Sequence, residues 1–133
     1  AVKGLIRNDS GKVLVLKQSD STITGDGQYH PPGGIVEPGE SVKECLVREI
    51  AEEAGVDAEV KQLVDVGEWY AEQGNDVMQF VGIFYECTIK SKGFKLQASE
   101  VSEVAWVSAD DIDDFDTIEP SKGIIKSFLS ASN

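Results

Sequence analysis

The chain has 133 residues, of which 12 are basic and 24 acidic, giving a formal net charge of -12 at pH 7. This length is sufficient for one hydrophobic core, and we expect residues 1–133 to form a single domain. The acidic balance, with no run of basic residues, argues against binding to a nucleic-acid polymer or to an anionic membrane surface. We therefore expect any anionic substrate either to arrive bound to a metal ion or to be bound by one in the site.

The sequence has no stretch with the apolar length of a membrane span, and its start does not follow the layout of a signal peptide. We therefore expect a soluble, cytoplasmic protein. Its two cysteines, Cys45 and Cys87, lie in apolar segments and are too few for a disulfide framework. They are interpreted as core residues of a protein in a reducing compartment.

The first apolar runs, residues 2–7 and 12–17, flank the turn sequence Asn8-Asp9-Ser10-Gly11, which predicts a β-hairpin. Residues 13–16, VLVL, are apolar on both faces, so this strand is expected to be covered on both sides. Residues 18–28 are polar and Gly-rich, which predicts a surface loop that either faces a substrate or only connects strands.

A helix is predicted after the turn Pro38-Gly39. Ser41 is placed to cap its start, Glu44 completes a capping box, and Gly55 ends it. At about 100° per residue, the apolar side chains fall on one inward stripe, as an amphipathic helix requires. The stripe consists of Val42, Cys45, Leu46 and Ile50.

Three carboxylates, Glu49, Glu52 and Glu53, fall in the same sector one turn further along this helix. Their spacing makes them neighbours, and like charges at these spacings repel one another. A solvated acidic face is one interpretation. The preceding two turns bury this face, however, and therefore favour a hard divalent cation, which takes oxygen ligands.

The second half of the chain is predicted to hold strands over 60–71, 77–89 and 103–107, with a turn at 73–76 and a break at 91–93. Ser108 is expected to cap a short helix over 109–115. A final helix over 121–131 is predicted to turn Ile124, Ile125, Phe128 and Leu129 inward. These elements predict an α+β fold, with a mixed sheet between helices on both faces.

The central segment resembles the Nudix box of the Nudix (MutT-like) hydrolases, and every fixed position of that pattern is filled. A Pro-Gly-Gly entry at 32–34 and a Glu-x-x-Trp-Val segment at 103–107 extend the resemblance. The resemblance implies an α/β/α sandwich that hydrolyses a nucleoside diphosphate linked to another moiety, with Mg²⁺ or Mn²⁺. The matching positions are Gly34, Glu40, Arg48-Glu49-Ile50, Glu52-Glu53 and Gly55-Val56.

The resemblance also implies residue roles. The metal ligands would be Glu49, Glu52 and Glu53, joined by the backbone carbonyl of Gly34. Arg48 would orient the carboxylates, and its i+4 relation to Glu44 and Glu52 makes this physically reasonable. Glu40 would lie in the outer shell or brace the loop. Glu103, or less favourably Glu100, would supply an extra catalytic carboxylate, as many relatives do from outside the box.

Four residues are candidates for substrate contact. His30, the only histidine, lies beside the Gly-Gly turn, and Tyr29 stands where relatives often have tryptophan. Trp69 and Phe80, with Tyr70 as a further candidate, could stack on a nucleobase, although aromatic strand residues more often belong to the core. Trp106 is interpreted as a core residue.

The resemblance leaves the substrate open between a nucleoside triphosphate, including an oxidised dNTP, and ADP-ribose or another nucleotide sugar. A nucleotide-sensing module without turnover is the alternative outside enzymes. An isomerase of isoprenoid diphosphates would need a catalytic cysteine, whereas Cys45 is predicted to face the helix interior. A homodimer is possible, as many relatives are dimers.

Overall fold

The computed structural model describes residues 1–18, 28–90 and 101–131. Most of the predicted loop over 18–28, the break at 91–93 and Glu100 lie outside these residues. The described chain contains seven strands, two α-helices and one 3₁₀ turn. They are β1 (Val2–Ile6), β2 (Val13–Gln18), β3 (Tyr29–His30), β4 (Gly33–Gly34), α1 (Val42–Ala54), β5 (Ala58–Gln73), β6 (Asp76–Ile89), β7 (Val101–Val107), the 3₁₀ turn (Ile112–Asp114) and α2 (Ser121–Ala131).

The strands form two sheets, with orders β4-β1-β6-β5 and β3-β2-β7. In the first sheet β1 pairs parallel with β6 and its other pairs are antiparallel, so the predicted mixed sheet is confirmed. The second sheet is antiparallel throughout the described residues. The sequence predicted one sheet, and the division into two sheets was not foreseen.

The predicted hairpin of β1 and β2 is wrong. The turn between them forms, because the Asn8 side-chain oxygen accepts hydrogen bonds from the backbone of Ser10 and Lys12 at 3.0 and 2.9 Å. Beyond a single bridge between Arg7 and Val13, however, the strands diverge into different sheets. β1 pairs along its whole length with β6, and β2 pairs with β7, so distant partners override the local turn signal.

The two helices lie on opposite sides of the strands. α1 packs through Leu46 and Ile50 on a core that includes Leu14 of β2, whereas α2 packs through Ile125 on a core that includes Val13. Because Val13 and Leu14 point to opposite faces, this strand is covered on both sides, as predicted. The inward side chains predicted for both helices are buried or partly buried: Val42, Cys45, Leu46, Ile50, Ile124, Ile125, Phe128 and Leu129.

The ends of α1 agree with the sequence signals. The backbone N–H of Glu44 donates to Ser41 Oγ at 3.1 Å, and that of Ser41 donates to Glu44 Oε1 at 3.2 Å, which completes the capping box. Gly55 adopts the left-handed conformation, with φ 68°, and its N–H donates to the Ala51 carbonyl. These local contacts set the direction in which Glu49, Glu52 and Glu53 project from α1.

The helix predicted over 109–115 is reduced to the single 3₁₀ turn Ile112–Asp114. Ser108 does not cap it. Instead, its backbone N–H donates to Asp111 Oδ1 at 2.7 Å. Aspartate side chains compete for backbone hydrogen bonds in this way, and they are poor helix formers. None of the helices within the described ranges is long and apolar enough to cross a membrane.

Candidate active site

Glu53 joins the end of α1 to the Gly-Gly strand β4. Its Oε1 accepts the backbone N–H of Gly33 at 2.8 Å, and its side chain is almost wholly buried, with 5% of the residue exposed. A Cβ at Gly33 would lie 2.0 Å from the Val2 carbonyl oxygen, so only glycine allows this approach. The buried carboxylate is therefore anchored to a backbone that tolerates no side chain.

Glu49 lies directly against Gly34. A Cβ on Gly34 would be 2.4 Å from the Glu49 carboxyl carbon and 2.7 Å from each of its oxygens. The Glu49 side chain is 19% exposed and that of Glu52 is 50% exposed, so burial decreases from Glu53 to Glu49 to Glu52. Glu49 and Glu53 thus line the Gly-Gly backbone, while Glu52 stands at its open edge.

Arg48 links the loop before α1 to two of these glutamates. Its Nη1 donates to Glu49 Oε1 at 2.9 Å and to both Glu52 oxygens at 3.3 Å. Its Nε and Nη2 form a paired contact with Glu40 at 3.1 and 2.8 Å, which holds the pKa of Glu40 down at about 2. The i+4 contact with Glu44 does not form, because Glu44 caps the helix.

Glu40 also braces the loop, as it accepts the Glu37 backbone N–H at 2.9 Å. Sequence reasoning had placed Glu40 either in the outer shell of a metal or as a brace of the loop. Its contacts include the bracing contact, the pair with Arg48 and an interaction with the Cys45 thiol. Glu40 therefore fixes the position of Arg48, and through Arg48 that of Glu49.

The donor set fits a hard cation. The carboxylates of Glu49 and Glu53 and the Gly34 carbonyl offer oxygen atoms, which are the ligands that Mg²⁺ and Mn²⁺ prefer. Among the residues that the structure describes, no three acidic, histidine or cysteine side chains are already arranged to hold a metal ion. The reason is visible in the contacts: Glu49 and Glu52 bind Arg48, and Glu53 binds Gly33.

A second cation, Lys3, approaches the same glutamates from β1. It lies opposite Gly33 in the register of β1 and β4. Burial lowers its pKa, while the charges of Glu53 and Glu49 act in the opposite direction. Sequence reasoning missed Lys3. The available signal was a single charged residue inside the apolar strand VKGLI.

Glu103 lies on β7, in the other sheet. It accepts a hydrogen bond from the Tyr29 hydroxyl at 2.9 Å and pairs with Lys17 at 3.9 Å, and its side chain is 56% exposed. These contacts connect Glu103 to Tyr29 and Lys17, and not to the glutamates of α1. Burial, followed by this hydrogen bond, raises the pKa of Tyr29, whose ring packs edge-on against Phe115 at 5.2 Å.

His30 is buried beside the Gly-Gly strand, with 4% exposure. Its Nδ1 lies 3.0 Å from the Pro31 carbonyl oxygen, and its Nε2 has no hydrogen-bond partner in the described part of the chain. Burial, with a smaller contribution from Lys3, lowers its pKa to about 4. The ring is therefore neutral at pH 7, and Nδ1 donates to Pro31 while Nε2 remains an acceptor.

A groove of about 840 Å³ lies between β5 and α2. Trp69 forms one wall and stacks on Phe80 at 5.6 Å, with the rings 10° from parallel. Trp69 and Phe80 face each other across the β5–β6 ladder. Tyr70, the further stacking candidate, also lines this groove. The remaining lining, which the sequence did not indicate, includes Gln28, Thr117, Ile118, Lys122 and Lys126.

Cys45 and Cys87 are buried and free, as predicted for core residues. Burial raises the pKa of Cys45 to about 11 and that of Cys87 to about 12. Neither is a thiolate at neutral pH, which argues against a cysteine-dependent isomerase. Trp106, also interpreted as core, is partly buried against the α1 core.

Comparison with known proteins identifies the family. Residues 1–128 match the NUDIX domain. The chain is 31% identical over 122 residues to the nucleoside triphosphatase NudI of Escherichia coli, an alignment that covers 84% of this chain and 83% of NudI. A crystal structure of a MutT protein from Methanosarcina mazei Go1 superposes with a TM-score of 0.78 and 28% identity, covering 99% of this chain and 93% of that one.

The fold is also shared with a NUDIX hydrolase from Nitrosomonas europaea. That structure superposes with a TM-score of 0.79 at 22% identity, covering 99% of this chain and 88% of the other. The likeness confirms the predicted α/β/α arrangement with helices on both faces of the strands.

Proposed function

Because this chain belongs to the NUDIX family and is a hydrolase of phosphorus anhydrides, we propose that it cleaves nucleoside triphosphates, including oxidised dNTPs, to the monophosphate and pyrophosphate. Water would attack phosphorus, the anhydride bond between the α- and β-phosphates would break, and pyrophosphate would leave. The similarity to NudI, whose name describes a nucleoside triphosphatase, favours this substrate class over ADP-ribose.

A single observation supports this proposal most strongly: Glu53 and Glu49 converge on the adjacent glycines Gly33 and Gly34. Two carboxylates in one partly enclosed corner repel each other and require cations. Gly34 is partly exposed, and because it has no side chain its carbonyl would be accessible to a metal or a phosphate. The corner therefore suits a cation-assisted reaction of a polyanion.

We propose that Glu49, Glu52, Glu53 and the Gly34 carbonyl hold Mg²⁺ or Mn²⁺. When bound, the metal would neutralise phosphate charge and lower the pKa of a coordinated water. Glu52 is half exposed and would turn away from Arg48 to join the ligands, whereas Arg48 would keep its paired contact with Glu40. Arg48 would thereby hold Glu49 in position while the metal ion binds.

The proton of the attacking water would pass to a glutamate of α1. A positioned general base of this kind contributes about two to four orders of magnitude in rate. Glu103 was proposed from the resemblance as an extra catalytic carboxylate. It would act through Tyr29, because Glu103 accepts a hydrogen bond from the Tyr29 hydroxyl group at 2.9 Å. Tyr29 and His30 form β3, two residues before the Gly-Gly strand, and we propose both as candidates for contact with the substrate near its phosphates.

The nucleoside would lie in the groove beside Trp69. Trp69, which is held by its stacking on Phe80, presents a rigid aromatic face to the groove, and base–aromatic stacking contributes about 1–3 kcal/mol. Lys122 and Lys126 lie in the same groove, although both pair with Asp113 at 3.2 Å. The groove therefore offers aromatic and polar contacts to a base, with limited free positive charge among the described side chains.

The proposal is tested by incubating the full chain with a panel of NTPs, dNTPs, 8-oxo-dGTP and ADP-ribose in Mg²⁺, with product identification by ³¹P NMR. We expect monophosphate and pyrophosphate from one or more triphosphates and none when EDTA replaces Mg²⁺. Preferred cleavage of ADP-ribose would assign the chain to nucleotide sugars. Saturable binding without any product would instead identify a sensing module.

We also propose that the chain acts as one domain in the cytoplasm.

A homodimer stays a prediction. The hairpin of β5 and β6 offers one place for a second copy, because β5 is the edge strand and several apolar side chains on one face of the hairpin are exposed. Light scattering of the wild type and Val81→Lys tests this, since only the variant should be monomeric. The exposed residues are Leu63, Val66, Tyr70, Val77 and Val81.

A further inference from the structure

Lys3 is the single charged residue of β1, between the buried Val2 and the tightly packed Gly4. It faces Gly33 across the antiparallel pair of β1 and β4. Its Cδ lies 2.9 Å from the point that a Cβ on Gly33 would occupy. The aliphatic part of Lys3 therefore runs over Gly33 in the space that the missing side chain leaves.

Gly33 is also the residue whose N–H binds Glu53, and its neighbour Gly34 lies against Glu49. The same pair of glycines is thus in contact with the Lys3 side chain and with both carboxylates. The charges of Glu53 and Glu49 are the two acidic groups that favour the protonated form of Lys3. Among the described residues, its ammonium group also acts on the buried His30 and on the Ala1 amino group.

We propose that Lys3 is a positioning residue, an internal counter-cation that holds Glu53 and Glu49 in place without a metal and weakens the affinity of the site for divalent cations. This inference rests on the proposed metal role of the two glutamates. Arg48 already pairs with Glu49 and Glu52. Lys3 supplies a second positive charge beside Gly33, the residue whose N–H binds Glu53.

The physical consequence is a competition between charges. A divalent ion placed at Glu53 and Glu49 is attracted by the carboxylates and repelled by the nearby ammonium. Replacing Lys3 by a neutral side chain of similar length removes this repulsion and leaves the attraction of the carboxylates for the cation unchanged. Metal binding should therefore strengthen.

The test compares Lys3→Met with Lys3→Arg in the full chain. Mn²⁺ affinity is measured by calorimetry at pH 7.5, and the melting temperature is measured in EDTA and in saturating Mn²⁺. We expect Lys3→Met to bind Mn²⁺ roughly 3- to 10-fold more tightly, an effect of the size that a partly screened unit charge produces. Mn²⁺ should raise the melting temperature of Lys3→Met more than that of the wild type, while Lys3→Arg should behave as the wild type.

Unchanged or weaker Mn²⁺ affinity in Lys3→Met, with normal binding by the wild type, would overturn the inference. If KM for the nucleotide rose at the same time, Lys3 would be a phosphate contact. If the wild type did not bind Mn²⁺ at all, the proposed metal site would fail. The counter-cation role would then be decided by a double-mutant cycle of Lys3→Met and Glu53→Gln in EDTA, where additive changes in melting temperature would exclude it.

Discussion

Glu53 on α1 accepts the backbone N–H of Gly33, 20 residues earlier in the chain, at 2.8 Å. This hydrogen bond ties the acidic end of the helix to the strand that borders it, and it places a nearly buried carboxylate beside a backbone without side chains. A group held in this way loses little freedom when a ligand binds. The site is therefore preorganised by the contact between helix and strand.

The first prediction concerns Gly34→Ala. The added methyl group would lie 2.4 Å from the Glu49 carboxyl carbon, so the side chain of Glu49 must move. Displacement of a catalytic group by about 1 Å costs roughly 100-fold in rate, and we expect a loss of this size in kcat/KM. Circular dichroism should show a folded protein. Full activity in a folded Gly34→Ala protein would contradict the placement of Glu49.

The second prediction concerns the aromatic wall of the groove. Trp69→Ala removes the face that we assign to the nucleobase, so KM should rise by about tenfold, within the range of single base–aromatic contacts, while kcat changes little. Trp69→Phe preserves a stacking surface and serves as the matched control. Steady-state kinetics with the preferred nucleotide measure both constants. An unchanged KM in Trp69→Ala would place the base elsewhere.

The third prediction concerns His30 and acid stability. Its folded pKa, about 4, lies below the unfolded value of about 6.5, because burial disfavours the charged ring. Between these values the unfolded chain binds more protons, so stability is fully present above pH 6.5 and is lost as the pH falls toward 4. His30→Gln lacks this titration.

The corresponding measurement is the melting temperature of the wild type and His30→Gln at intervals from pH 4 to pH 7. The wild type should lose more stability than the variant within that window, so the two curves should converge or cross toward pH 4. Parallel curves over the whole range would show that His30 is not buried in its neutral form.

The sequence predicted the helices and the position of the box carboxylates because these depend on local chemistry. Ser41, Glu44 and Gly55 specify the ends of α1, and 3.6-residue periodicity then specifies which face Glu49 and Glu53 share with Ile50. A turn at Asn8 was likewise predicted correctly. The predicted pairing of the strands on either side of this turn was wrong. β1 pairs instead with β6, about 80 residues away in the chain, and local sequence signals do not encode such a distant partner.

Long-range contacts also explain what was missed in the site. Lys3 reaches Glu53 and Glu49 only because β1 pairs with β4, and a lone lysine in a strand gives no indication of its partner. Arg48 was predicted to contact Glu52, and its stronger paired contact with Glu40 depends on how the preceding loop folds back. The groove beside Trp69 requires α2 to pack against β5, which periodicity alone does not place.

The most direct test of the central claim compares Glu53→Gln with Glu44→Gln, the same chemical change on the same helix. Glutamine at residue 44 can still complete the capping box, and glutamine at residue 53 can still accept the Gly33 N–H, so both variants should fold. We expect Glu53→Gln to lose at least about 100-fold in kcat for nucleotide hydrolysis in Mg²⁺, and Glu44→Gln to match the wild type. Full activity in Glu53→Gln would contradict the assignment of this carboxylate to the catalytic metal site.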